Sequence, residues 1–194
     1  MPLVDPRAFL KSLEAELVNL SHSQQLAFGA LCCERHLPDY LRFNVATNWG
    51  DANVLKKAIK LAWRIVASEQ RIDRNDLSTL LTSCVEATPD SDDFPLTVSD
   101  YAQDSATMVC LLIRYIEDGK SSSIVQIAAR ARDLIDARVQ IERQLRPSDP
   151  DLEVKIASDP QMIAELSAQS SDLKTVADMN QLQAITQSRT QFQS

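Results

Sequence analysis

Apolar positions recur along this chain with the period of amphipathic helices. Phe9, Leu10, Leu13, Leu17 and Leu20 follow Asp5-Pro6, an N-cap residue with a first-turn proline behind it. Ser21 and Gln24 read as a capping box opening a second helix that ends near His36. Pro38 should close that helix and serve the first turn of another, which carries Tyr40, Leu41, Phe43 and Val45. Gly50 reads as a C-terminal cap and Asp51 as the N-cap of a helix over about 52–68. Val54, Leu55, Ile59, Leu61, Trp63, Ile65 and Val66 make most of that helix apolar, and Lys56, Lys57, Lys60 and Arg64 form its polar face. So wide an apolar face belongs inside a domain, with one strip exposed.

A further helix holds Leu77, Leu80, Leu81, Cys84 and Val85 and ends at Thr88-Pro89, and the acidic run 89–95 reads as a loop. The second strongly apolar helix, about 98–118, carries Met108, Val109, Leu111, Leu112, Ile113 and Ile116 and is closed by Gly119. Ser121 to Ser123 open the next, about 122–145, with Ile124, Ile127, Ala128, Ala131, Leu134 and Ile135 on one face. Its other face offers Arg132/Asp136, Arg138/Glu142 and Glu142/Arg146 at i,i+4 spacing. Pro147 and Pro150 divide this core, residues 1–146, from a helical appendage, residues 147–194. The appendage restarts at Ser158-Asp159-Pro160, is weakly amphipathic through Ile163, Leu166, Leu173 and Val176, and ends in a glutamine-rich tail that by itself reads as frayed. It is expected to pack on the core or on a second subunit. The fold expected is all-α: a compact bundle of seven or eight helices around the two apolar helices, 52–68 and 98–118.

Composition narrows the function more than it defines it. Only three glycines occur, Gly29, Gly50 and Gly119, which favours helices with short connections over sheets. The net charge of −7 argues against nonspecific binding to nucleic acid or to an anionic membrane. The longest apolar stretch, Ala106 to Ile116, is 11 residues and contains Arg114, against the roughly 20 needed to cross a bilayer. No charged-then-apolar leader opens the sequence, and Cys32, Cys33, Cys84 and Cys110 lack C-x-x-C spacing. The chain is therefore read as a cytoplasmic protein with reduced thiols.

Candidate chemistry concentrates in Leu31–Phe43 and the following Trp49-Gly50-Asp51. Cys32 and His36 share a helical face, which suits a thiol–imidazole dyad or half of a metal site, but is more simply satisfied by a packed thiol and a histidine near a helix end. Glu34 and Arg35, flanked by apolar residues, read as buried ion-pair members whose partners include Asp51, Asp104 or Arg42, serving either as bracing or as a polar ligand site. Lys56, Lys60 and Arg64 form an i,i+4,i+8 stripe that suits an acidic partner or the Asp90–Asp93 loop of a second copy, or else a solvated face. That loop lacks the ligand alternation, glycine and glutamate of an EF-hand. Phosphate loops, H-E-x-x-H, G-x-S-x-G and the E-x-x-H pairs of di-iron bundles are absent, so no cofactor or metal is evident and no catalytic residue is assigned.

Three segments carry a family resemblance. They are Cys33-Glu34-Arg35-x-x-Pro38-x-Tyr40-x-x-Phe43, Gly50-Asp51 with Trp63 behind it, and Glu86-x-x-Pro89 followed by Asp92-Asp93-Phe94 and the helix of Asp104. Over roughly residues 20–145 the chain resembles the YjaG-like family of bacterial proteins, a family of unknown function. The resemblance implies an all-α fold and brings no assigned activity. The chain departs from it at Tyr101-Ala102-Gln103-Asp104-Ser105 and after Pro147. The function expected is a non-catalytic protein-interaction module that self-associates, a dimer being favoured, or that binds another protein. A polar cluster at Glu34, Arg35, Tyr40 and Asp51 would fix its architecture, and with Cys32, His36 and Asp104 these make the candidate polar cluster. The alternative is a small-molecule or metal-dependent activity in a pocket around Cys32, Glu34, His36 and Asp104.

Overall fold

A computed structural model describes residues 5–68, 72–94 and 97–191. Nine α-helices occur among them: α1 (Pro6–Leu17), α2 (His22–Thr47), α3 (Ala52–Ser68), α4 (Arg74–Glu86), α5 (Thr97–Asp118), α6 (Ser121–Glu142), α7 (Leu152–Ala157), α8 (Pro160–Ala177) and α9 (Met179–Gln191). No strand is found among the described residues, so the architecture is all-α as expected. A single 3-10 turn, Ser91–Asp93, interrupts the loop after α4, and Pro95 lies outside the described residues.

Local chemistry sets most helix ends. Ser21 Oγ accepts from the Gln24 N–H at 3.4 Å and the Ser21 N–H donates to Gln24 Oε1 at 2.8 Å, so the capping box forms as read. Asp159 caps α8 through the Gln161 N–H at 2.8 Å, with Pro160 in the first turn. At the end of α2 the left-handed cap is Asn48 (φ 53°), with Gly50 (φ 80°) two residues on. A Cβ at Gly50 would stand 2.2 Å from Tyr40 Oη, so both backbone and space require glycine there.

One boundary differs from expectation. Pro38 does not end a helix: α2 runs through it for 26 residues. The proline withdraws one N–H from the ladder. Ser105 Oγ of α5 lies 2.9 Å from the His36 carbonyl oxygen and 2.8 Å from that of Tyr101, sharing its one proton between them at the same turn. Beyond the proline Asp39, Tyr40 and Phe43 are buried against other elements, and this packing outweighs the cost of the break.

The core is organised by the crossing of α2 and α5. Nine consecutive residues of α2, Gln25 to Cys33, and six of α5, Met108 to Ile113, are buried. Helices enclosed on every side belong to the middle of a bundle. They meet α6 at Gly29, whose Cβ, if present, would lie 2.8 Å from Ile124 Cδ1 and 3.0 Å from Leu112 Cδ1. α3 packs on α2 and α5, burying Leu55, Ile59 and Trp63 while its lysine strip stays exposed. Phe43, Trp49 and Phe94 form an edge-on aromatic trio with centroids 4.9–5.9 Å apart, tying the end of α2 to the segment before α5.

The C-terminal helices join the same apolar cluster. α8 lies against α2 and α6, contributing Met162, Leu166, Leu173 and Val176, and α9 lies against α3 with Leu182 buried. The tail expected to fray is therefore helical through Gln191, because docking on α3 supplies what its weak intrinsic amphipathicity lacks. Residues 192–194 lie outside the described residues.

Candidate functional site

The polar residues of α2 point in different directions: the structure brings Cys32, Arg35 and His36 together, sets Tyr40 beside Asp51, and places Glu34 and Asp104 elsewhere. Glu34 accepts from Trp63 Nε1 at 2.8 Å and pairs with Arg189 Nε at 2.9 Å, joining α2 to α3 and α9. Burial pushes its carboxyl above the usual range, against the pull of Arg189 and Trp63. Tyr40 donates to the Ala87 carbonyl at 2.6 Å, locking α2 to the end of α4, and burial raises its phenol to about 12. Asp51 is an exposed cap on the Asn53 N–H at 2.8 Å. Asp104 pairs with Arg130 of α6 at 2.7 Å.

Cys32 is fully buried, and burial drives its thiol far above the ordinary range despite the nearby Arg35 charge. Its hydrogen-bonding neighbour is the Arg35 guanidinium at 3.6 Å. The imidazole of His36 is committed elsewhere. Burial disfavours the thiolate, and the thiol meets Arg35 while His36 bonds Glu165, so the structure does not assemble the thiol–imidazole pair. Cys33, Cys84 and Cys110 are also buried, each with its thiol raised by desolvation. Among the described residues no group of three His, Cys, Asp or Glu side chains is placed to hold a metal ion.

Arg35 and His36 belong to one buried network whose other members lie far away in sequence. Arg35 Nε donates to Glu165 Oε2 at 3.0 Å and Arg35 Nη1 to Asp172 Oδ2 at 2.6 Å, both acids being on α8. His36 Nε2 lies 3.2 Å from Glu165 Oε2, and Nδ1 lies 3.8 Å from Asp39 Oδ2. The imidazole thus sits between two carboxylates. Asp39 Oδ1 accepts from Arg138 of α6 at 2.7 Å and from Arg42 of its own helix. Gln169 Nε2 adds bonds to Glu165 Oε1 at 2.8 Å and to the Ala128 carbonyl at 3.1 Å.

Burial and pairing oppose one another throughout the network. Desolvation alone would neutralise Glu165, but His36, Arg35 and Gln169 outweigh it and lower the carboxyl to about 2. Asp39 is likewise lowered, burial being overcome by His36, Arg138 and Arg42. Burial would discharge His36, yet Asp39 and Glu165 raise it above its ordinary value.

The matching family model spans residues 12–193 and is described as a protein of unknown function, DUF416. The chain belongs to the DUF416 family. It is similar to the uncharacterised protein YjaG of Escherichia coli (strain K12), 29% identical over 84 residues. That match spans 43% of this chain and 42% of the relative, about two-fifths of its length. The crystal structure of a DUF416 family protein from Shewanella baltica OS155 superposes with a TM-score of 0.81 at 20% identity, covering 92% of this chain and 93% of that one. The likeness shows the shared fold. The expected kinship with YjaG-like proteins is thereby shown.

Sequence reasoning missed Asp39, Arg138, Glu165, Gln169 and Asp172 in this DUF416 protein. A signal existed on α8, where Glu165 and Gln169 stand on the same face as buried Met162, Leu166, Leu173 and Val176. Polar groups inside an apolar face announce buried partners. For α6 the i,i+4 reading was wrong in detail: Arg132 pairs with Asp133, Arg138 with Asp39, and Glu142 accepts from Gln161 at 2.7 Å. For Arg138 the buried carboxylate of Asp39 outcompeted the exposed helical pair, whereas Arg132 turned to its own chain neighbour.

Proposed function

We propose that this protein is a non-catalytic interaction module that associates with a second copy of itself through the basic strip of α3. The observation that carries this reading is the contrast between inner and outer charges. The network charges are paired, whereas exposed Lys56, Lys60 and Arg64 rise on successive turns without an ion pair to any described residue. Lys57 is exposed beside them. On a chain of net charge −7, such a strip is the natural landing place for a carboxylate-rich surface. The exposed acidic turn of Asp90, Asp92 and Asp93 supplies one in every copy. A two-fold arrangement would let each strip meet the other copy's turn. Exposed pairs of this kind are worth at most about 1 kcal/mol each, so they orient an association that salt weakens.

Sedimentation velocity at about 50 mM and about 500 mM salt tests the reading. A dimer at low salt that loosens at high salt is expected. Lys60→Glu or Asp92→Lys alone should weaken it, and the two together should restore it. A monomer at every salt and protein concentration, or a dimer indifferent to both substitutions, would overturn the assignment.

A further inference from the structure

The surface reading leaves untouched a cleft between α2, α6 and α8. Its volume is about 430 Å³, within the range of small-ligand sites. Pro38, Ile135, Ala164 and Ala168 form an apolar wall. The two alanines lie four residues apart on one side of α8, and their small side chains leave the space open. Arg42 and Arg138 line the cleft from two helices, α2 and α6, and both donate through Nη2 to the same oxygen of Asp39.

Charge counting shows what this arrangement lacks. The network holds the guanidiniums of Arg35, Arg42 and Arg138 and the carboxylates of Asp39, Glu165 and Asp172, with His36 between two of the acids. Arg35 bonds two carboxylates, Asp172 and the Glu165 it shares with His36, whereas Arg42 and Arg138 share the single carboxylate of Asp39. A guanidinium carries five N–H donors, and one oxygen of Asp39 cannot occupy both forks. The cationic excess therefore gathers at the Arg42–Arg138 edge, and a protonated His36 behind Asp39 increases it. Glu165 and Asp39 also line the cleft, Glu165 paired with Arg35 and His36, and Asp39 offering its one bonded oxygen to both Arg42 and Arg138.

We propose that this cleft is a binding site for a small organic anion. Its carboxylate or phosphate head is clamped between Arg42 and Arg138, and its apolar body lies on Pro38, Ile135, Ala164 and Ala168. Tyr101 supports the clamp from below, its ring centroid 4.7 Å from the Arg138 guanidinium carbon. Arg42 is 61% exposed at the rim, so it can swing onto an arriving anion without disturbing the core.

The protein contains only two histidines, His22 and His36, so its imidazole resonances form a two-site reporter with one member in the cleft. Hexanoate and inorganic phosphate are titrated to about 10 mM while long-range ¹H–¹⁵N spectra of both rings are followed. A saturable shift of His36, with His22 still, is expected for at least one probe. Arg42→Gln should weaken it at least about tenfold while melting temperature and helicity are retained. Ala168→Leu should block hexanoate by filling the apolar wall. Saturation by hexanoate marks a carboxylate head with an apolar body, and saturation by phosphate alone marks a phosphate head. No shift with either probe, equal shifts at both rings, or a response unchanged in Arg42→Gln would overturn the proposal.

Discussion

Glu165→Gln removes one charge from the centre of the buried network while keeping nearly the same shape. Glu165 is 4% exposed and bonds Arg35 at 3.0 Å, His36 at 3.2 Å and Gln169 at 2.8 Å. A carboxyl that ionises at about 2 in the folded chain, against its ordinary 4.5, stabilises the fold by about 3 kcal/mol at neutral pH. Truncating one partner of a buried ion pair costs about 3–5 kcal/mol, and the two routes agree. Glutamine can still accept one bond, so the lower figure is expected, lowering Tm by roughly 6–12 °C. The pH dependence has a definite sign. Glu165 ionises below its unfolded value when folded, so its contribution is complete above about 4.5 and lost as pH falls through about 2. His36 is raised above 6.5, so its contribution is complete below about 6.5 and lost as pH rises through the folded value. The parent should therefore be most stable between these limits, and Glu165→Gln should lose stability less steeply above 6.5 because His36 has lost one of its two acids. Urea unfolding followed by circular dichroism and by Trp63 and Trp49 fluorescence at several pH values measures both effects. A variant within about 0.5 kcal/mol of the parent, or one with the parent's pH slope, would refute the reasoning.

Three further outcomes follow from particular contacts. All four cysteines should resist a thiol reagent at neutral pH in the native protein and react together only on unfolding, and one fast-labelling thiol would contradict the burial of Cys32 and its neighbours. Gly50→Ala should cost about 2–3 kcal/mol in urea unfolding, since its left-handed backbone and the Tyr40 hydroxyl 2.2 Å from a Cβ both oppose a side chain; equal stability would refute this. Asp104→Asn should cost under about 1 kcal/mol in the same assay, because the Asp104 and Arg130 side chains are 29% and 44% exposed, and a loss as large as that of Glu165→Gln would show the pair to be part of the core.

Helix periodicity, the Ser21–Gln24 box, the Asp159-Pro160 start and the Gly119 stop were all legible because they depend on residues within a few positions of one another. The apolar character of α5 and the exposed lysine strip of α3 were legible for the same reason: one helix displays its own faces. Pro38 marks where local reasoning stops. Its cost to α2 is local, but what keeps the helix whole is the burial of Asp39, Tyr40 and Phe43 beyond the proline against elements distant in sequence. Arg35 and His36 were recognisable as chemistry, while Glu165 and Asp172, over 125 residues distant, become their partners only when α8 lies across α2. The sequence by itself determined where most helices lie, which faces are apolar and which family the chain resembles, because near-neighbour sterics and hydration set those properties. Tertiary structure alone decided which charges are paired, which thiols are silenced and where a cleft remains, because desolvation and Coulomb attraction act between atoms that only the folded core brings within a few ångströms.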